Sequence, residues 1–343
     1  MKLTFLLRCL PAILLPLAGV RAAEFSAAAQ PQLAATAEGR VYVAFGRGRE
    51  IFVARSDDGG GTFAPANKVA TLPKLKLGMR RGPRIAAHGD SVTVTAMADE
   101  LFAFRSKNAG QTWDGPVRIN DIPGAAREGL QGSAAAPDGR LFVTWLDLRN
   151  VSGARMQLFG AESADGGATW SANHLVYRAP AGETVCECCH PSAAFDARGN
   201  LAVMWRNGVD GARDMWSVTR GAGAREFGAP AKIGEGTWPL KACPMDGGAV
   251  FADRTGFASV WRRANEIFFA VPGQPEEKIA DGMQPVAARA GDSLVVVWQQ
   301  GPDLWLTRKG LAAIAPARHA ANARFPSLLA LPNGRAILAY EQG

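Results

Sequence analysis

The sequence has few residues of several types that often carry a function. Its 343 residues include three Tyr, four His and five Cys, and the formal net charge is only +7. A weak basic excess without a recognisable nucleic-acid module argues against a nucleic-acid partner. We find no glycine-rich phosphate loop and no nucleophile elbow. With 48% hydrophobic and 20% charged residues, the chain can nevertheless bury a large core.

Long hydrophobic runs are also scarce. The longest, Phe5 to Leu17, follows the basic Lys2 and precedes the small-residue exit Val20-Arg21-Ala22. This run is too short to span a bilayer and has the layout of an export signal. We therefore expect a signal peptide at residues 1–22, one domain at residues 23–343 and a periplasmic or secreted monomer without a membrane span.

What the sequence does contain is a repeated unit. Each copy has a short apolar strand, often opened by Pro, then a turn with Gly and a second strand that often ends in an aromatic residue. We find seven such pairs, beginning at residues 31, 83, 133, 191, 248, 285 and 326. A third strand follows in most units, as at Glu50 to Arg55, and then a weaker fourth strand.

Units of roughly 40 to 58 residues with four short strands are typical of a β-propeller. We therefore predict an all-β fold, a β-propeller of four-stranded antiparallel blades with seven inner strands. The last unit is only half as long as the others, so the ring has either six or seven blades. Residues Phe25 to Gln30 are a candidate to complete the last unit.

Three units share the turn motif S-x-[DN]-x-G-x-T-[WF], at residues 56–63, 106–113 and 163–170. The Asp or Asn side chain can accept bonds from its own turn, Gly supplies a positive φ, and the aromatic ring anchors the turn. These turns resemble the Asp boxes, or BNR repeats, of the sialidase superfamily. The resemblance implies a sialidase-like propeller, in which Asp boxes are structural and lie away from the active site.

The same resemblance implies a set of catalytic groups that this sequence matches poorly. Sialidases bind the substrate carboxylate with three arginines and use a Tyr nucleophile assisted by Glu, with an Asp acid/base. The Arg expected at the first inner strand is absent from Ala29-Gln30-Pro31, and Arg84 in the second unit is its nearest counterpart. Tyr340 beside Glu341 is a candidate nucleophile pair, although Tyr340 also occupies a repeated core position. Asp147 is a candidate acid.

Several cationic side chains fall in loops on the face opposite the three turns. They could form a rim that binds a small anionic ligand or a glycan. Exposed loops are also commonly rich in Arg without such a role. The candidate ligand-binding residues are Arg47, Arg49, Arg84, Arg149, Arg206 and Arg262.

The sharpest local feature is the segment Cys186-Glu187-Cys188-Cys189-His190, with Cys243 and Met245 in the next loop between units. Both segments precede an inner strand, so neighbouring blades should bring them together on the same face. Two disulfides among Cys186, Cys188, Cys189 and Cys243 are one interpretation for an exported protein.

A thiolate site for Cu(I) or Zn(II) is the second interpretation, with the four cysteines, His190 and Met245 as ligands. The segment also matches C-x-x-C-H, the attachment motif of c-type haem, but the extra Cys within it argues against haem.

Our leading hypothesis is an exported, sialidase-like propeller that binds a ligand or handles a metal and is not an enzyme. An exo-α-sialidase-type glycoside hydrolase acting on acidic sugars is an alternative. A structural or interaction propeller with two disulfides is another.

Overall fold

The computed structural model describes residues 25–149, 155–254 and 256–343, together with the backbone of residues 8–10. The rest of the predicted signal peptide lies outside the described residues. Within them the regular structure is β-strand, in short antiparallel sheets. No helix in these ranges has the length and apolar character needed to cross a membrane.

Six sheets are complete blades of four antiparallel strands, as predicted. In chain order the first three blades are β2–β5 (Ala29–Ala35, Val41–Arg47, Glu50–Ser56, Asn67–Thr71), β6–β9 (Arg84–His88, Ser91–Met97, Leu101–Ser106, Asp114–Arg118) and β10–β13 (Gln131–Ala135, Leu141–Asp147, Gln157–Ser163, His174–Tyr177). The next three are β15–β18 (Ser192–Phe195, Leu201–Gly208, Met215–Arg220, Ala231–Lys232), β19–β22 (Ala249–Asp253, Gly256–Arg263, Glu266–Ala270, Glu277–Asp281) and β23–β26 (Met283–Ala290, Ser293–Gln300, Asp303–Lys309, Ile314–Ala320). A short strand β14 (Thr184–Val185) also pairs with β16.

A seventh sector completes the ring with a smaller sheet, β27 (Ala323–Ala330) and β28 (Ala336–Gln342). The inner strands contact one another in the order β2, β6, β10, β15, β19, β23, β27, and β27 returns to β2. The seven predicted inner strands are thus confirmed. Residues Phe25 to Gln30 do not complete the last sheet as suggested, because Ala29 already pairs with Gly46 in the first blade.

The backbone of β1 (Arg8–Leu10) pairs with β28 at the outer edge of the seventh sheet. Its register places Arg8 opposite Leu338 and Leu10 opposite Ala336. The seventh sheet therefore has three strands in the order β1, β28, β27, with β28 in the middle.

The hydrophobic core is divided into seven main clusters, one at each junction between neighbouring sectors. Second strands are nearly continuous apolar runs, because both faces of a blade pack against neighbours. Their large aromatic residues are fully buried, as shown by Trp145, Trp205 and Trp298. Packing between blades, more than hydrogen bonding between them, therefore holds the ring.

The three repeated turns join the third and fourth strands of the first three blades, as the sequence predicted. In the first turn Gly60 N–H donates to Ser56 Oγ (2.8 Å), and Thr62 N–H donates to Asp58 Oδ1 (2.9 Å). The other two turns repeat both bonds with Asn108 and Asp165 in place of Asp58. The aromatic residue that ends each turn packs on a core cluster, so the motif is a local device that fastens the outer strand.

Candidate functional site

Two neighbouring loops bring the cysteines together. The first loop enters β15 and carries Cys186, Cys188 and Cys189, while the second enters β19 and carries Cys243 and Met245. Asp246 N–H in the second loop donates to Cys189 Sγ at 3.4 Å. The convergence expected from the ring is therefore confirmed.

The sulfur atoms of the first loop form a compact group. Cys186 Sγ lies 3.4 Å from Cys189 Sγ and 3.7 Å from Cys188 Sγ. All three sulfurs lie within 4.8 Å of one another, and all three residues are buried. Among the described residues, these three are the group whose His, Cys, Asp or Glu ligand atoms meet this closely. We call Cys186, Cys188 and Cys189 the thiol cluster.

The environment favours a thiolate at one position of the thiol cluster. Hydrogen bonding with the Cys188 and Cys189 thiols lowers the pKa of Cys186 to about 3. Burial raises the pKa of Cys189 well above its usual range. The cluster therefore holds the Cys186 thiolate beside the protonated Cys189 thiol, an arrangement that supplies a soft anionic ligand.

Cys243 and Met245 complete the surroundings of the thiol cluster. Cys243 is exposed, and its interaction with Cys188 raises its pKa to about 11. The Met245 side chain packs on the three buried cysteines. Cys186, Cys188, Cys189 and Cys243 form no disulfide in the structure. The cluster thus has one solvent-facing thiol and a thioether on its border.

The His190 side chain lies in the central channel and does not join the thiol cluster. Its Nε2 lies 3.1 Å from the Gly248 carbonyl oxygen, and the ring lines the channel with Arg80 and Arg84. Desolvation, followed by the charges of these two arginines, lowers the pKa of His190 well below its usual range. The structure therefore separates His190 from the sulfur atoms with which the sequence grouped it.

A network of buried polar groups connects the two regions. Gln284 Nε2 donates to the Met245 carbonyl oxygen (2.5 Å), and Gln284 N–H donates to Asp246 Oδ2 (2.6 Å). Arg80 Nε in turn donates to Gln284 Oε1 at 2.8 Å. The second cysteine loop is therefore held in place by Gln284, which in turn is bonded to the channel residue Arg80.

The candidate catalytic residues do not assemble into a site. Tyr340 is buried in the core between the sixth and seventh sectors, with its ring edge-on to His319. Glu341, the next residue of β28, accepts bonds from Gln30 N–H (2.6 Å) and Arg324 Nε (2.9 Å). Neighbouring residues of a strand point to opposite faces, so these two side chains diverge. Asp147 is fully buried against Trp145 and Arg149.

The candidate ligand-binding arginines are likewise spread over separate environments. Arg149 pairs with Asp147 (2.9 Å) and Asp121 (2.8 Å), whereas Arg47 lies over the Phe52 ring. Arg84 enters the channel, away from these two.

Arg206 and Arg262 do come together, beside the second cysteine loop. Both lie over the Trp238 ring, and Arg206 Nη2 donates to the Arg262 carbonyl oxygen (2.9 Å). Arg206 Nε also donates to the Asp246 carbonyl oxygen at 3.0 Å. These two arginines support the thiol-bearing loops, whereas Arg49 lies in the turn between β3 and β4 of the first blade.

Sequence reasoning missed Gln284 and Asp246 altogether. Asp246 is fully buried, yet its sequence neighbours Met245 and Gly247 give no periodic signal of burial. Gln284 sits just before a predicted inner strand, a place where polar residues are ordinary. The available signal was a Gln directly before the Pro of two inner strands, Gln30 before Pro31 and Gln284 before Pro285, and both side chains are buried.

Comparison with known proteins gives a fold and no family. No protein-family model matches the sequence, and no curated protein matches it. Among solved structures, the chain is similar to the Hadza microbial sialidase Hz136 with a TM-score of 0.52 and 17% identity, covering 81% of this chain and 68% of that one.

Two other structures extend the similarity. A Penicillium chrysogenum α-L-arabinanase complexed with arabinobiose has a TM-score of 0.54 and 12% identity, over 92% of this chain and 100% of that one. An ulvan lyase of polysaccharide lyase family PL25 has a TM-score of 0.56 and 10% identity, over 91% and 92%. The chain therefore shares the propeller fold of proteins that act on glycans. At these identities the similarity concerns the fold alone.

Proposed function

We propose that this protein is an exported, sialidase-like propeller that binds a thiophilic metal ion at the thiol cluster and is not an enzyme. The observation that carries the proposal is the convergence of three buried sulfurs within 4.8 Å on one loop. Soft thiolate and thioether ligands select Cu(I) and, with four ligands, Zn(II).

The spacing of the sulfurs fits one ion. Tetrahedral zinc–sulfur bonds of about 2.3 Å place ligand sulfurs roughly 3.8 Å apart. The two closest separations in the thiol cluster are 3.4 and 3.7 Å. These distances are far longer than the bond of about 2.05 Å in a disulfide. The sulfurs are therefore arranged as ligands that need little movement.

The residues of the second loop favour one of the two metals. Three buried thiols bordered by the Met245 thioether match the ligands of Cu(I), which accepts two or three soft donors. Zn(II) needs a fourth ligand, and Cys243 is the thiol available for it. We favour Cu(I), because Cys243 is exposed whereas the other three cysteines are buried.

The hydrolase alternative has less support. The turns at residues 56–63, 106–113 and 163–170 have the bonding expected of Asp boxes, and the fold is shared with carbohydrate-active enzymes. Yet Tyr340 and Glu341 point to opposite faces, and of the candidate arginines Arg206 and Arg262 come together beside the cysteine loops whereas Arg47, Arg84 and Arg149 lie in separate environments. A glycan ligand remains compatible with this fold.

Metal binding by the reduced protein tests the proposal. The full chain, purified anaerobically after export, is titrated with Cu(I) in competition with a chromogenic chelator and separately with Zn(II). We expect one Cu(I) per chain. Cys186→Ser and Cys189→Ser should each weaken binding by at least about a hundredfold, because each replaces a soft sulfur ligand of a buried site with a hydroxyl.

Met245→Leu and Met79→Leu form a matched pair. Met245 packs on the thiol cluster, whereas Met79 is 50% exposed elsewhere. Met245→Leu should weaken Cu(I) binding while Met79→Leu leaves it unchanged. Absence of binding by fully reduced protein would reject the proposal. A thiol titration that finds every cysteine oxidised would favour the disulfide interpretation.

A further inference from the structure

Cys243 differs from the three residues of the thiol cluster in its exposure to solvent. Cys186 and Cys189 are each 1% exposed, and Cys188 is 9% exposed. Cys243, in contrast, is an exposed residue. Among the four cysteines of residues 25–343, it is therefore the one that a molecule in solution can reach directly.

Short steps link this exposed sulfur to the buried ones. The Cys243 thiol hydrogen-bonds with the Cys188 side chain. Cys188 Sγ lies 3.7 Å from Cys186 Sγ, which lies 3.4 Å from Cys189 Sγ. Two sulfurs that share one tetrahedral metal ion lie at about these separations. An ion can therefore pass from Cys243 to the thiol cluster without losing contact with sulfur.

The inner side of the thiol cluster is closed to solvent. Asp246, whose N–H donates to Cys189 Sγ, is fully buried. Arg206, whose Nε donates to the Asp246 carbonyl oxygen, is 1% exposed. The Met245 side chain packs on the border of the cluster. Entry past Cys243 leaves these contacts unbroken.

The segment that carries Cys243 is anchored on both sides. Before it, Leu240 N–H donates to the Gly211 carbonyl oxygen (3.3 Å), and after it the Met245 carbonyl oxygen accepts a bond from Gln284 Nε2 (2.5 Å). The two residues directly before Cys243 are exposed as well. The Cys243 thiol is therefore held close to the thiol cluster, yet it lies outside the packing that fixes the three buried cysteines.

We propose that Cys243 is the entry point through which the thiol cluster takes Cu(I) from a thiol-bearing carrier, an inference that rests on the proposed function. A bond forms between Cu(I) and the Cys243 sulfur while the bond between Cu(I) and the carrier sulfur breaks. The proton of Cys243 passes to the departing thiolate. The ion then moves to Cys188 and its buried neighbours, and the Cys243 thiolate takes the proton that a buried thiol releases. Copper stays monovalent, so the transfer needs no oxidant or reductant.

The test separates the rate of transfer from the affinity at equilibrium. The Cu(I)-loaded full chain is mixed with excess glutathione and a chromogenic chelator, whose colour reports the Cu(I) that leaves, because removal by a thiol follows the loading path in reverse. Cys243→Ser should slow this transfer about tenfold or more, since a hard hydroxyl replaces the soft sulfur at the surface. Its equilibrium affinity for Cu(I) should change by less than about threefold, since the three buried thiols are kept. A Cys-x-x-Cys peptide in place of glutathione distinguishes a protein carrier from a small thiol.

Two variants make the assignment specific. Ala242→Ser is the matched control, because it places the same hydroxyl on the neighbouring exposed residue and keeps Cys243. Its transfer rate should equal that of the wild type. Cys243→Met restores a soft sulfur and should recover part of the rate that Cys243→Ser loses, a result that a purely structural role of the thiol would not give.

The possible failures are distinguishable. Transfer from Cys243→Ser at the wild-type rate overturns the entry point while leaving the metal site intact. A loss of equilibrium affinity in Cys243→Ser as large as in Cys186→Ser also overturns it, because Cys243 would then be a resident ligand. Absence of Cu(I) binding by the reduced wild-type protein rejects the proposed function itself, and the entry point with it.

Discussion

Substitutions at Asp58 test whether the repeated turns work by local hydrogen bonding. Asp58 accepts bonds from Ser56 Oγ (2.7 Å), Thr62 N–H (2.9 Å) and Thr62 Oγ1 (2.8 Å). Asp58→Ala removes all three. Asp58→Asn reproduces the second blade, where Asn108 bonds to Ser106, Thr112 N–H and Thr112 Oγ1 at 2.8 to 2.9 Å.

The size of the effect follows from the exposure of the turn. Asp58 is exposed, so each bond contributes near the low end of the usual range, about 0.5 kcal/mol. We therefore expect Asp58→Ala to lower the free energy of unfolding by about 1.5 kcal/mol. Asp58→Asn should change it by less than about 0.5 kcal/mol, because its amide keeps the acceptor and supplies a donor.

The pH dependence of stability gives a second reading of the same turn. Desolvation raises the pKa of Asp58, but hydrogen bonds from Ser56 and Thr62 outweigh it and bring the pKa to about 2. A carboxyl whose pKa is lower in the folded protein stabilises above its ordinary pKa of about 3.9 and loses that effect as the pH falls toward 2. Asp58→Asn should therefore flatten this part of the stability profile.

Urea unfolding of the three proteins at pH 7, and at steps between pH 5 and pH 2.5, measures both effects. Asp165→Asn provides the matched variant, since Asp165 has the same bonds and its pKa is also lowered to about 2. Equal stability of Asp58→Ala and wild type at pH 7 would refute the reasoning. A loss in Asp58→Asn as large as in Asp58→Ala would do the same.

Two further substitutions test packing and burial near the candidate sites. Gly247→Ala should lower the free energy of unfolding in urea by roughly 1–3 kcal/mol, because the added Cβ would overlap the His190 carbonyl oxygen. Gly343→Ala is the control and should leave that free energy unchanged, because the nearest atom lies 3.6 Å from its added Cβ. Arg149→Met should lower the free energy of unfolding by about 3 kcal/mol in the same assay, because it leaves the fully buried Asp147 carboxylate without its cationic partner. Arg254→Met, which breaks an exposed pair, should cost less than about 1 kcal/mol, and equal losses in both arginine variants would contradict this argument.

The ring and its turns could be predicted because their signals are local. The strand pairs at residues 31–45 and 285–298 alternate apolar runs with Gly turns, and the S-x-[DN]-x-G-x-T motif supplies its own hydrogen bonds. The order of the blades in the ring then predicted that the loops before β15 and β19 are neighbours, and Cys243 does interact with Cys188. These features need no knowledge of side-chain direction.

Side-chain direction is what the sequence could not supply. His190 directly follows Cys189, yet it turns into the channel because its ring reaches the Gly248 carbonyl oxygen. Arg84 was expected at a surface rim, but it is held inside by three backbone carbonyl groups of its own loop. Both outcomes depend on main-chain conformation at strand entries, where no periodic pattern exists.

The junction between the first and seventh sectors joins residues from the two ends of the described chain. Leu33 N–H donates to Ser327 Oγ (3.1 Å), Gln30 N–H donates to Glu341, and Phe45 packs with Ile337. Within residues 25–343 the chain does not run directly from the seventh sector to the first. Hydrogen bonds to side chains and side-chain packing therefore hold this junction together. Under tension or limited proteolysis, this is where the ring should open. A circular permutant that joins residues near positions 25 and 343 should resist such opening better than the native order.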